Sequence, residues 1–281
     1  MCGVQGVGVL GAVASMTYST CELRAAASAL QVGAFSKRSG ATEMQGRLPD
    51  LAPLVRVWAG CAGAGASTVA LMLADAADGQ RRKIRLLDAA GPTWSGLSGC
   101  PGRELGSASG WRRGRRGTSL LIDRWDRYAA SPGEVGAPRV DADVDLTVLD
   151  VGWSARELLG DLGGREPTWI SSVGADAEIV VTRSDDVALS QTELVLGALA
   201  DTGSAIAAAT MVVVGSSTHS TSAVAGAAGR RIRDLLVANR IWFAPALPGR
   251  VSLGTDPLPR RLRAFGHRLL DEVVENERAE G

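Results

Sequence analysis

The feature that most constrains the fold is a glycine-rich loop between a short apolar run and a segment rich in alanine and leucine. The apolar run is Leu54–Ala59, the loop spans residues 60–68, and residues 67–77 carry apolar side chains at helical spacing. A strand, a loop and a buried helix in this order predict the first half of a βαβ unit. We therefore expect an α/β fold.

The rest of the chain extends this alternation of short apolar runs and longer segments. Because the runs are apolar throughout, they predict strands buried on both faces of a mainly parallel central sheet. Strands are predicted at residues 84–87, 119–122, 146–149, 178–182, 211–214 and 241–243, and later helices at 186–201, 222–239 and 257–276. Residues 106–117 are predicted to form a loop, since glycine is too frequent there for a helix.

The domain prediction follows from where this alternation begins. Residues 1–50 are rich in Gly, Ala and Ser without strand or helix periodicity, and are expected to be a disordered leader. Residues 51–277 are expected to form one domain, and residues 278–281 a tail. The N-terminal apolar run has no basic flank, so it is not expected to be a signal peptide.

The loop has the form G-x4-G-x-[ST] directly between the predicted strand and helix, the context in which such a loop binds phosphate. Glycines turn backbone N–H groups inward, and a helix N-terminus attracts an anion without side-chain charge. Ser67 is then placed to bind Mg²⁺. The simpler interpretation is a glycine-rich turn that joins a strand to a helix.

Two aspartates end predicted strands. Asp88 follows the second apolar run, and Asp150 ends the run 146–149 in the way a Walker B strand delivers its carboxylate. Asp150 would lie beside the phosphate site and is, with Ser67, a candidate metal ligand. Aspartates at such positions also act as turn residues or helix caps, and this alternative stays open for both.

Over residues 54–275 the sequence resembles the ParA/MinD family, whose loop reads G-K-G-G-x-G-K-[ST]-[ST]. The resemblance implies a three-layer P-loop NTPase fold, ATP and Mg²⁺ as ligands, and a nucleotide-binding loop formed by Gly60, Gly63, Ala64, Gly65, Ala66, Ser67 and Thr68. However, Cys61 and Ala66 stand where the family has its signature lysine and its P-loop lysine.

Two further family positions are also unfilled. Ala90 replaces the second aspartate of the D-x-D motif that begins with Asp88, and Gly215 replaces a base-contacting asparagine. The resemblance places Asp88 itself near the metal, so that the candidate metal site consists of Ser67, Asp88 and Asp150. A charge-assisted hydrogen bond to phosphate contributes about 1.5–3 kcal/mol. Without either lysine we expect hydrolysis to be weak or absent, so that the chain is at most a slow ATPase.

A dense basic cluster lies in the predicted loop 106–117. It combines one tryptophan with four arginines: Trp111, Arg112, Arg113, Arg115 and Arg116. Such a group suits contact with the phosphates of DNA or of the nucleotide. The simpler interpretation is a solvated loop in an arginine-rich sequence.

Two functions are compatible with these observations. One is a nucleotide-dependent switch, a homodimer that acts in positioning, partitioning, or conjugation and secretion assembly. The other is a catalytically dead interaction scaffold. A zinc protein and a serine hydrolase are disfavoured, because there is no CxxC pair and no G-x-S-x-G elbow. Lys+Arg and Asp+Glu both total 30, no segment is apolar enough to span a membrane, and we expect a cytoplasmic protein.

Overall fold

The computed structural model describes residues 51, 53–159, 168–201, 209–215, 221–245 and 253–280. Within this part of the chain the strands are β1 Leu54–Ala59, β2 Ile84–Asp88, β3 Arg103–Ala108, β4 Trp111–Arg116, β5 Leu120–Trp125, β6 Leu146–Asp150, β7 Ala177–Arg183, β8 Thr210–Val214 and β9 Ile241–Phe243. The leader predicted at residues 1–50 lies outside the described residues.

The helices fall between and after these strands. They are α1 Ala66–Gly79, α2 Ala155–Leu159, α3 Trp169–Ser172, α4 Asp186–Asp201, α5 Thr221–Ala227, α6 Arg230–Val237 and α7 Arg260–Glu280. A 3₁₀ turn spans Pro132–Glu134. Because α7 continues to Glu280, residues 278–280 of the predicted tail are helical.

All nine strands belong to one sheet, in the order β3-β4-β5-β2-β6-β1-β7-β8-β9. Along this order every neighbouring pair from β5 to β9 is parallel, whereas the pairs β3–β4 and β4–β5 are antiparallel. The predicted α/β class with a mainly parallel central sheet is confirmed. Strand β1 lies between β6 and β7, so the loop that follows it emerges at the centre of the carboxyl edge, where such sheets bind ligands.

Helices cover both faces of the sheet and complete three layers. On one face α1 and α7 pack on a cluster that includes Val57, Leu86 and Val148. On the other face α2, α3, α4, α5 and α6 pack around Trp58 and Leu149. Helices α1 and α7 approach so closely that a Cβ on Gly266 would collide with the carbonyl oxygen of Met72. Glycine at position 266 therefore allows this helix contact.

Two predictions about local structure are wrong. Residues 106–117 are not a loop but most of the antiparallel hairpin β3–β4, which extends the sheet beyond β5. The single helix predicted at 222–239 is divided at Ala228 and Gly229. The division has a tertiary cause, because Glu193 of α4 accepts hydrogen bonds from the N–H groups of Arg231 and Ile232 and caps a new helix there.

Candidate phosphate and metal site

The loop 60–68 presents a row of backbone donors. Gly63 and Gly65 have φ angles of +65° and +90°, which favour glycine and turn the chain into α1. The N–H groups of residues 61–63 and 65–68 have no acceptor among the described residues. Because backbone donors are almost always paired in folded proteins, such a row is suited to binding an anion.

The start of the loop is anchored to strand β7 and helix α4. The Gly60 N–H donates to the carbonyl oxygen of Val181 over 2.7 Å, and a Cβ on Gly60 would lie 2.5 Å from the hydroxyl oxygen of Thr192. That hydroxyl is itself fixed by hydrogen bonds to Thr182 and to the carbonyl oxygen of Ala188. Position 60 therefore requires glycine, and the loop begins from a rigid support.

The side chains of the loop are small and largely buried. Cys61, Ala64 and Ala66 belong to the hydrophobic cluster between the sheet and α1, with exposed fractions of 6%, 2% and 9%. None of these side chains brings a charge to the N–H row. The loop therefore offers backbone donors, the N-terminus of α1 and the Ser67 hydroxyl.

Two buried carboxylates lie beside the loop. Asp88 and Asp150 stand opposite each other in the register of β2 and β6, and both are almost fully buried. Asp88 accepts hydrogen bonds from the Ala90 N–H over 3.0 Å and from the Ser95 hydroxyl. In contrast, the Oδ2 atom of Asp150 has no hydrogen-bond partner among the described residues.

The electrostatics of the pair are unfavourable for two negative charges. The pKa of Asp150 is raised to about 7, mainly by desolvation and also by the charge of Asp88, although the Ser67 hydroxyl and the Gly152 N–H act to lower it. The pKa of Asp88 is raised to about 6 by desolvation, although hydrogen bonds from Ser95 and Ala90 and the charge of Arg124 act to lower it. A cation next to this pair would remove the penalty.

These residues fit a magnesium ion. The unpaired oxygen of Asp150 is an oxygen ligand of the kind that Mg²⁺ prefers, and the Ser67 hydroxyl lies within hydrogen-bonding reach of the same carboxylate. The described residues contain no group of three or more His, Cys, Asp or Glu side chains that could hold a metal. Such a sparse ligand set suits Mg²⁺, which usually keeps waters and binds substrate phosphates.

Comparison with solved structures places this arrangement in a known fold. The chain is similar to a plasmid partition protein from Borrelia burgdorferi B31 bound to AMPPNP, with 12% identity, a TM-score of 0.51, and 81% of this chain and 99% of that chain covered. A ParA family ATPase from Chlorobium tepidum TLS has 12% identity and a TM-score of 0.48, with 79% and 98% covered. The cell division ATPase MinD of Pyrococcus furiosus has 13% identity and a TM-score of 0.46, with 80% and 99% covered.

The chain has a ParA/MinD-like P-loop NTPase fold. At these identities the similarity establishes the fold, and no protein-family model or curated protein sequence matches the chain. In the part of the chain that the structure describes, no helix is long and apolar enough to cross a membrane.

The segment that follows β2 lies against one side of the loop 60–68. Gly96 lies against Ser67, since a Cβ on Gly96 would be 2.9 Å from the Ser67 hydroxyl oxygen. The indole of Trp94 donates to the carbonyl oxygen of Gly152 over 3.1 Å and packs edge to face on Trp153. The sequence patterns did not predict that this segment lies against the loop. The one available signal was the frequency of glycine and serine at residues 91–99, shortly after the aspartate that ends β2.

The arginine cluster lies at the far edge of the sheet, on the hairpin rather than on a loop. Trp111 is buried, and its indole donates to the carbonyl oxygen of Gly136. Arg116 is 3% exposed. Its guanidinium donates hydrogen bonds to the Asp75 carboxylate and to the carbonyl oxygens of Cys100, Gly254 and Asp256. These two residues are therefore part of the protein interior.

The other arginines of the cluster differ in what remains available to a ligand. Arg113 is partly buried and pairs with Asp123 and Asp141. Arg112 is exposed but paired with Asp126 at 2.7 Å. Arg115 is exposed and has no hydrogen bond or ion pair with another described side chain. A nucleic-acid contact here would rest mainly on Arg112 and Arg115.

Proposed function

We propose that the protein binds a nucleoside triphosphate with Mg²⁺ in the loop 60–68 and acts as a nucleotide-dependent switch with weak or absent hydrolysis. The observation that carries this proposal is the row of N–H groups at residues 61–63 and 65–68 without acceptors among the described residues. A row of this kind, at the centre of the carboxyl edge of a parallel sheet, is typical of a phosphate site.

Each part of the site has a task in this proposal. The N–H row and the N-terminus of α1 bind phosphate oxygens. Ser67, Asp88 and Asp150 hold the metal, the two aspartates from adjacent strands. The segment around Gly96 lies against Ser67 on this side of the loop. Mg²⁺ held by these residues would supply positive charge that offsets the carboxylates and attracts phosphate.

Slow turnover follows from the absence of side-chain charge within the loop. Catalysis of phosphoryl transfer depends mainly on positioning and on cations that stabilise the transition state. Cys61 and Ala66 are buried apolar residues, and Ala90 offers no carboxylate to orient water. We expect a kcat below about 1 s⁻¹, under the range typical of enzymes.

We also propose that the nucleotide-bound form is a homodimer. Residues 62 and 63 at the tip of the loop are exposed, so a second copy can approach the phosphates at this point. The expected observation is an increase in sedimentation coefficient on addition of the non-hydrolysable ATP analogue AMPPNP with Mg²⁺. An unchanged monomer at saturating analogue would contradict the dimer while leaving nucleotide binding intact.

A catalytically dead interaction scaffold is the second candidate. It is favoured by the burial of Cys61, Ala64 and Ala66 in the hydrophobic cluster, because a loop with an apolar underside is stable without a ligand. In that case the fold serves only to present a surface to a partner. The two candidates differ in whether nucleotide binds.

Equilibrium titration with a fluorescent ATP analogue, with and without Mg²⁺, tests the proposal. We expect saturable binding that is tighter with Mg²⁺, abolished by Gly65→Val because of the left-handed φ at that position, and strengthened about tenfold by Ala66→Lys. Absence of binding to the wild type would end the switch proposal. Wild-type binding that Ala66→Lys leaves unchanged would indicate that the pocket has lost the shape of a lysine-containing loop.

A further inference from the structure

Arg183 lies directly beside the phosphate loop. It is the last residue of β7, which runs parallel to β1, so it emerges at the same edge of the sheet as the loop. Its Nη1 atom donates to the carbonyl oxygen of Ala62 over 3.0 Å and lies 3.6 Å from the position that a Cβ on Gly63 would take. Among the described residues it is the one cationic side chain that hydrogen-bonds the loop.

The guanidinium of Arg183 keeps donors free for a ligand. Its Nε atom donates to Asp185 over 3.0 Å, and its Nη1 atom donates to Ala62. A guanidinium has five N–H donors, and the others on Arg183 have no acceptor among the described residues. The side chain is 46% exposed, so an incoming anion can reach them.

Arg183 is also held in place before any ligand binds. Its partner Asp185 is fixed because it accepts a hydrogen bond from the Ala188 N–H at the start of α4. The hydrogen bonds to Asp185 and to the Ala62 carbonyl oxygen therefore orient the guanidinium toward the tip of the loop. This reduces the rotamer entropy that a long side chain loses when it binds an anion.

We propose that Arg183 is a phosphate-binding residue that supplies the positive charge absent from loop positions 61 and 66. Its free N–H groups bind oxygens of the polyphosphate chain of a nucleoside triphosphate at the exposed tip of the loop. Guanidinium is suited to this because its planar donors match two phosphate oxygens at once. The inference rests on the proposed nucleotide binding and assigns the cation of that site.

The test compares Arg183 with an arginine in a matching environment. Arg112 has a 47% exposed side chain and pairs with Asp126, just as Arg183 pairs with Asp185, but it lies on the hairpin at the far edge of the sheet. Binding of a fluorescent ATP analogue with Mg²⁺ is measured for the wild type, Arg183→Ala, Arg183→Lys and Arg112→Ala. Competition by inorganic tripolyphosphate and by adenosine follows, and far-UV circular dichroism checks folding.

We expect Arg183→Ala to weaken analogue binding and tripolyphosphate competition about tenfold, Arg183→Lys to weaken them less, and Arg112→Ala to leave them within about twofold. Competition by adenosine should not change. If Arg183→Ala does not fold, Arg183→Gln is measured in its place, because its amide keeps a donor for the Ala62 carbonyl.

Other outcomes overturn the inference in distinguishable ways. If the wild type binds and Arg183→Ala binds as tightly as Arg112→Ala, the role of Arg183 is rejected while nucleotide binding stands. If both alanine variants lose affinity equally, the effect is general electrostatics and the assignment fails. If the wild type binds neither the analogue nor tripolyphosphate, the proposed function and this inference fail together.

Discussion

Asp123 and Asp150 are two buried aspartates of the same sheet with opposite surroundings. Each is 1% exposed. Asp123 on β5 pairs with Arg85 at 2.6 Å and with Arg113 at 2.7 Å. Asp150 on β6 faces another carboxylate, and one of its oxygens has no partner among the described residues. The first carboxylate is compensated by two arginines of the protein, whereas the second has no ion pair among the described residues.

The contrast shows how a paired buried charge differs from an unpaired one in this molecule. A buried ion pair that is complete stabilises the fold only when both members remain, and removal of one leaves an uncompensated charge. An incomplete buried charge destabilises the fold until a partner arrives. The two aspartates should therefore respond to mutation with opposite signs.

The largest expected effect is on Asp123. Asp123→Asn leaves the buried guanidinium of Arg85 without its main counter-charge, and we expect a loss of about 3–5 kcal/mol in the free energy of unfolding. Urea denaturation measures it. Asp126→Asn, at the exposed partner of Arg112, is the control and should cost less than about 1 kcal/mol. Equal effects of the two variants would break the comparison.

At alkaline pH, Asp150→Asn should raise the free energy of unfolding, whereas Asp123→Asn lowers it. Because the folded pKa of Asp150 is raised from 3.8 to about 7, the folded state binds more protons than the unfolded state between these values, and wild-type stability falls as pH rises through this window. Asp150→Asn should therefore be more stable than the wild type by at least about 1 kcal/mol at pH 8. The gain should be absent near pH 4.

Urea denaturation of Asp150→Asn and the wild type at pH 4, 6 and 8 measures this difference. Asp88→Asn is the matched variant, and its gain should be smaller, because the Asp88 oxygens accept hydrogen bonds from Ala90 and Ser95. A loss of stability at pH 8 in Asp150→Asn would mean that its carboxylate is already compensated in the free protein.

Magnesium should stabilise the folded protein through Asp150 and not through Asp123. At a concentration several times its Kd, Mg²⁺ should raise the unfolding free energy of the wild type by roughly 1 kcal/mol at pH 8, a Tm shift of about 2–4 °C. Asp150→Asn should show no shift. Thermal denaturation with Mg²⁺ and with EDTA measures it. A shift of equal size in both proteins would place the ion elsewhere.

A smaller effect is expected within the arginine hairpin. Arg115→Ala should change stability by less than about 0.5 kcal/mol, since the side chain is exposed and has no ion pair among the described residues. Arg116→Ala removes a buried cation bound to Asp75 and should destabilise strongly. Urea denaturation of both variants measures the contrast. Similar values would contradict the division of the hairpin into interior and surface arginines.

The smallest expected effect concerns DNA binding by the hairpin. If Arg112 and Arg115 contact the phosphates of duplex DNA, replacing both with alanine should flatten the slope of log K against log salt by about two. Fluorescence anisotropy at several salt concentrations measures the slope. An unchanged slope, or no binding at low salt, would leave these arginines as surface charges.

Residue patterns along the chain predict the layered α/β fold and most of the candidate site. Apolar runs predict the parallel strands because strands buried on both faces have no polar side to alternate with. Glycines at 60, 63 and 65 predict a tight loop, and Asp88 and Asp150 come together because carboxyl ends of parallel strands share one edge of the sheet. All of this depends on local patterns and on one topological rule.

Which charged side chains have partners is known only from the tertiary structure. Strand β3 is exposed along its whole length and shows no alternation, so the hairpin has no pattern that sequence reading can detect. Arg116 meets Asp75 from 41 residues away, and Arg183 meets Ala62 from 121 residues away. Whether an arginine is a structural counter-ion or a free donor depends on such long-range contacts. The reason is that residues far apart in the sequence become its partners only when the chain folds.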